Sequence, residues 1–99
     1  MTTFNLSTSP NQSFAVSTNG HEVLFRLRTF RRLTYADVTV DGEPVAAGVK
    51  CISGYGLLPP SAARTVGGQF MFETTDESYP HYRNFDGVTC RFVYYEGKV

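Results

Sequence analysis

Two histidines, two cysteines and a few carboxylates are the side chains of this 99-residue sequence with the chemistry for proton transfer, nucleophilic attack or metal binding. Catalysis needs a nucleophile or an acid–base pair tuned by its neighbours. His21 follows an Asn-Gly dipeptide and His81 lies in a polar stretch, and neither stands at metal-ligand spacing from a cysteine or carboxylate. Cys51 and Cys90 are far apart in sequence and form no C-x-x-C pair. Asp76, Glu77 and Asp86 crowd one segment but lack the ordered oxygen spacing of a calcium loop; a solvated acidic loop is the reading they support. Gly67-Gly68 stands outside any strand-and-helix phosphate motif and reads as a turn. The expectation is a protein that is not an enzyme, with no cofactor and no metal.

One charge feature stands out. Arg26, Arg28, Arg31 and Arg32 place four of the nine basic residues within seven positions. Two readings stay open. Charge on a strand protects a sheet edge. Arginine also anchors protein interfaces through bidentate contacts to carboxylates. With Tyr55, Tyr94 and Tyr95, these arginines form the candidate protein-interface set. Formal net charge is zero, which argues against a dedicated nucleic-acid binder.

The elements that must position these residues are strands. Apolar residues alternate with polar ones along most of the chain, the period of a β-strand. Phe4 and Leu6 open a short strand that Pro10-Asn11 interrupts; Phe14, Val16 and Thr18 share a face of the next. Asn19-Gly20 and Asp41-Gly42, each between alternating runs, signal tight hairpins. Between them run a strand with Val23, Phe25 and Leu27 on one face and Leu24, Arg26, Arg28 and Phe30 on the other, a reversal at Arg31-Arg32, and a strand from Leu33 to Val40. A strand follows from Pro44 to Ile52. Ser53 to Val66 reads as a loop with a helical turn at Ser61 to Arg64. Gln69 to Thr74 and Val88 to Tyr95 are the last strands, separated by the polar segment Thr75 to Gly87.

This predicts one all-β domain over residues 1–99, a small antiparallel β-barrel or sandwich of about seven strands. Phe14, Val16, Val23, Phe25, Leu27, Val38, Cys90 and Phe92 are the expected core. Apolar residues behind that face, such as Leu24, Phe30, Val93 and Tyr95, call for a closed barrel or a neighbouring subunit. Charged residues are 18% and aromatics 14% of the sequence, a balance that suits a β-rich core and a surface that meets protein. No run approaches the roughly 20 apolar residues of a membrane span, and the start of the sequence lacks the pattern of a signal peptide. Free thiols in a reducing cytoplasm are therefore expected for Cys51 and Cys90.

The ordered features resemble the small baseplate plug proteins of contractile-tailed bacteriophages, a family described around a cyanophage baseplate. The likeness runs through Pro10-Asn11-Gln12-Ser13-Phe14, Gly20, Phe25-Arg26-Leu27, Tyr35 followed by Asp41-Gly42, Gly48, Leu57-Leu58, Gly67-Gly68-Gln69-Phe70, Pro80, Asn84-Phe85-Asp86-Gly87 and Phe92-Val93-Tyr94. Tyr35 stands where the pattern carries Trp. The resemblance implies a structural virion protein of the tail baseplate, made in the host cytoplasm. It implies partners among hub, tube and wedge proteins, several copies (three or six) around the tail axis, and neither direct nucleic-acid recognition nor a membrane. Two other readings remain: a small phage β module that binds one soluble protein, and a β-barrel nucleic-acid binder.

Overall fold

The residues that reverse the chain set its topology. Asn19 and Gly20 have φ of 50° and 79°, and Asp41 and Gly42 have 50° and 85°. Two successive positive φ values make the turn whose twist matches that of the flanking strands. The structure, a computed structural model, describes residues 2–75, 79–85 and 89–97. The first turn joins β2 (Asn11–Thr18) to β3 (His21–Phe30), and the second joins β4 (Leu33–Val40) to β5 (Glu43–Lys50). The reversal at Arg31-Arg32 links β3 to β4, with Arg31 itself at φ 61°. These four strands form one antiparallel sheet in sequence order.

Beyond β5 lies α1 (Pro60–Val66), longer than the single turn predicted over Ser61 to Arg64. Proline in its first turn is preorganised for a helix, and Gly67 closes it in the left-handed conformation at φ 90°. β6 (Gly68–Thr74), a 3₁₀ turn (Tyr82–Asn84) and β7 (Cys90–Glu96) follow. β7 takes the centre of a second antiparallel sheet, between β6 and the N-terminal β1 (Thr2–Phe4). The predicted strand start at Val88 and the acidic residues Asp76, Glu77 and Asp86 lie outside the described residues. The two sheets do not close on each other, so of barrel and sandwich the fold is the sandwich.

Between the sheets lies an aromatic core. Phe25 of the four-stranded sheet meets Phe70 and Phe92 of the other edge-to-face, with ring centroids 4.8 and 5.1 Å apart, the geometry that ring quadrupoles favour. Val23, Leu27, Val38 and Cys90 are buried around them, and Phe14 and Val16 are half-buried at the rim. Of the eight phenylalanines, Phe30 alone is exposed.

The outer face of the smaller sheet departs from the sequence reading. Val93 is buried within the chain itself, as is its cross-strand partner Met71. Tyr95 pairs with Gln69, and Glu73 with Arg91, on either side of that Met71–Val93 pair. The Tyr95 hydroxyl donates to Glu73 Oε2, so the two side chains bridge the pair lying between them. The chain thus supplies the cover for Val93 that its strand position called for from a barrel or a neighbour.

Candidate protein interface

β3 turns every second side chain away from the core, which sets Leu24, Arg26, Arg28 and Phe30 on the outer face of the four-stranded sheet. Alternation in β4 brings Tyr35 opposite Arg28 and Asp37 opposite Arg26. Asp37 nevertheless pairs with Arg28, at 3.1 Å, while also accepting from Gly48 N at 2.7 Å. Arg26 therefore has no carboxylate partner among the described residues, and β2 offers it only the small side chain of Ser13. At the strand end the Arg31 guanidinium stands 5.3 Å from the centre of the Phe30 ring, and that ring is 64% exposed. Arg32 is exposed beside it.

Phe30 and Tyr35 lie outside the sequence-based interface set, and so do Lys50 and Tyr79, which join this region from β5 and the loop after β6. Lys50 faces Tyr35 across β4 and β5, and its ammonium lies 5.1 Å from the centre of the exposed Tyr79 ring. A band of cations with aromatic neighbours thus crosses one end of the sheet: Phe30 with Arg31, Arg28 with Tyr35, Lys50 with Tyr79. A shallow depression of about 400 Å³ opens within it, between Asn11, Phe30, Tyr35 and Gly48. The signal for Lys50 was its strand position. Tyr79 sits in a loop, where no periodicity points to a face.

The tyrosines proposed from sequence do not gather there. Tyr55 is 67% exposed in the loop beside β6. Tyr95 is half-buried on the opposite sheet, held by Glu73. Tyr94 is not a surface residue of the chain. It is 6% exposed, its ring packs 4.7 Å from that of Phe70, and its hydroxyl accepts from Asn19 Nδ2 at 3.2 Å. Its place beside Cys90 and Phe92 in the alternation already turns it inward.

No catalytic or metal-binding arrangement appears among the described residues. His21 Nδ1 hydrogen-bonds the Asp41 carboxylate between two hairpin turns, and that bond, with one from Glu22 N, holds the Asp41 carboxyl below its ordinary value. His81 accepts from Arg83 N in the cap of the 3₁₀ turn. Cys51 and Cys90 are buried free thiols. No group of three His, Cys, Asp or Glu among the described residues is placed to hold a metal. A depression of about 460 Å³ between α1 and the β4–β5 turn is lined by Asp41 and Glu43 but by no cysteine, histidine or lysine. No helix among the described residues is long and apolar enough to cross a membrane.

Compared with known families, residues 1–97 match the model of the cyanophage baseplate Pam3 plug, gp18. No curated protein matches the chain.

Proposed function

This chain belongs to the cyanophage baseplate Pam3 plug family and is a structural component of a phage baseplate; on that footing we propose that it packs around the tail axis and joins tube, hub and wedge subunits without catalysing a reaction. The observation that carries this reading is the cation–aromatic band on the outer face of the four-stranded sheet. Arg26, Arg28, Arg31 and Arg32 are its cationic anchors, with Tyr55 and Tyr95 as contacts elsewhere on the surface. Several copies, three or six, surround the axis. The partner face that fits the band is acidic with an apolar centre, because such a face gives each guanidinium a carboxylate and removes Phe30 from water.

Arg31 separates interface from fold. It holds φ at 61°, a backbone conformation that costs a non-glycine residue about 1 kcal/mol. Arg31→Gly should therefore leave the isolated domain as stable or up to about 1 kcal/mol more stable. In the baseplate the same change removes a guanidinium that stacks on Phe30. Arg28→Ala costs the fold only about 0–1 kcal/mol as an exposed ion pair, but losing one partner of a charge pair desolvated between subunits costs about 2–5 kcal/mol. The test measures thermal unfolding of the purified Arg28→Ala, Arg31→Gly double variant and its recovery in assembled tails. Normal folding with depleted recovery supports the reading; recovery equal to wild type overturns the band as an interface.

A further inference from the structure

Three of the four sheet edges in this sandwich are blunted. β1 is three residues long. β6 is covered by the preceding loop, where Gly54 N and Leu57 N donate to Phe72 O and Phe70 O and the Gln69 amide clasps both backbone groups of Leu58. β5 carries Glu43, Pro44 and Lys50 and pairs with β4 through register shifts. Brevity, cover, charge, proline and irregular register are the devices that stop a sheet edge from pairing with another chain. At the start of β2, Ser9 Oγ donates to Asn11 O and the Gln12 amide clasps both backbone groups of Ser7, but from Ser13 to Ser17 β2 has none of these devices among the described residues. Its eight residues, Asn-Gln-Ser-Phe-Ala-Val-Ser-Thr, include no charge, proline or glycine, and they follow β3 in unbroken register. Thr29 N donates to Pro10 O at 2.8 Å. Alternation from that bond turns the N–H and C=O of Gln12, Phe14, Val16 and Thr18 toward β3, and those of Ser13, Ala15 and Ser17 away from the sheet.

We propose that this edge pairs with a second copy of the chain, β2 against β2, antiparallel about a twofold axis at Ala15. The two four-stranded sheets become one of eight. Charge selects this register. Ser13 lies beside Arg26 and Ser17 beside Glu22. A twofold at Ala15 sets Ser13 of one copy against Ser17 of the other. Each flanking row then runs Arg26, Ser13, and Ser17 and Glu22 of the second copy. The charged residues stand roughly 14 Å apart at the backbone, three strand spacings of about 4.8 Å, with only two serines between their long side chains. The twofold supplies this pair twice. Neither Arg26 nor Glu22 has an ion-pair partner among the described residues. The middle row runs Leu24, Ala15, Ala15, Leu24, so the two copies meet along a row of uncharged apolar side chains. A twofold at Ser13 would oppose Arg26 to Arg26, and one at Ser17 would oppose Glu22 to Glu22, arrangements that like charges disfavour. With a formal net charge of zero, the copies do not repel one another as wholes.

The pairing concerns the free protein and does not rest on the baseplate reading. A ring of copies around a polar tail axis contains no twofold of this kind, so the pair covers the edge before assembly. The test is sedimentation velocity of the purified full-length chain over a concentration series, with circular dichroism of each variant. Wild type should show a concentration-dependent dimer. Ala15→Pro removes an outward N–H, which an edge strand tolerates, and should leave a folded monomer. Arg26→Glu should weaken association roughly tenfold by setting like charges in both flanking rows, and Arg26→Glu combined with Glu22→Arg should restore it. If Ala15→Pro does not fold, the surface charge exchange decides alone. A wild type that stays monomeric, or a dimer indifferent to the charge exchange, overturns the proposal. Tail recovery is not read here, so either result leaves the baseplate function standing or falling on its own test.

Discussion

Burial, and after it the neighbouring Cys90, push the Cys51 thiol up to about 12 from an ordinary value of 9.0. That rise lowers the thiolate fraction about a thousandfold, and thiolate is the reactive form. Cys51 should stay unmodified by alkylating reagents at pH 8 until the protein unfolds. The same shift makes stability fall at alkaline pH. Below pH 9 the thiol is protonated in both states and its contribution is fully present. Between about 9 and 12 the unfolded chain releases that proton while the native state keeps it, so rising pH favours unfolding. Denaturant midpoints at pH 8 and pH 10.5 measure the slope, and Cys51→Ala should flatten it. That both cysteines act as small buried hydrophobes followed from their places in strand-like segments. That they lie close enough for one charge to disfavour the other did not, because 38 residues separate them in sequence.

At the scale of the elements, the Asn19-Gly20 turn does more than reverse the chain. Asn19 Nδ2 donates to Val66 O at 2.9 Å and to the Tyr94 hydroxyl at 3.2 Å. The tip of the first hairpin is thereby tied to the end of α1 and to the centre of the other sheet. Asn19→Gly keeps the positive-φ backbone and loses both bonds, at a cost of about 1–2 kcal/mol. Asn19→Ala also strains the backbone at φ 50°, and should cost about 1 kcal/mol more. Urea unfolding of the two variants separates the tie from the turn; equal destabilisation would show that the turn backbone carries no strain. The dipeptide announced the turn because few residues accept positive φ. Its side-chain contacts join residues 47 and 75 positions away, and no local pattern encodes them.

For the whole molecule, the two sheets are held by stacked and edge-to-face rings. Phe25 touches Phe14, Phe70 and Phe92 with centroids at 5.5, 4.8 and 5.1 Å, and its side chain has no solvent exposure. Phe25→Ala removes the ring that bridges the sheets and leaves a cavity that rigid strands on both sides cannot collapse. It should cost about 3–5 kcal/mol, a large part of the 5–15 kcal/mol typical of a domain. The expected outcome is a sharply lowered urea midpoint with an unchanged slope, or a chain already unfolded in buffer. A change under about 1 kcal/mol would show that the inter-sheet contact is not where stability resides.

Period-two patterning, two positive-φ dipeptides and the absence of a long helical run determined seven antiparallel strands, their order along the chain and most of the inward face, because strand alternation and turn chemistry are local. The tertiary structure decided what lies behind that face. Val93 and Leu24 both sit on outer faces of central strands, yet Val93 is buried and Leu24 is 41% exposed. The difference comes from neighbours on other strands: Glu73 and Tyr95 bridge the pair that contains Val93, whereas Ala15 and Thr39 flank Leu24 with little to cover it. The same holds for the arginines. Their density was plain in the sequence, but that Arg28 takes Asp37 and leaves Arg26 with no carboxylate among the described residues depends on cross-strand register and on Gly48 binding the same carboxylate. Register joins residues far apart in sequence, and the partner that each charge finds is settled only when the sheet forms.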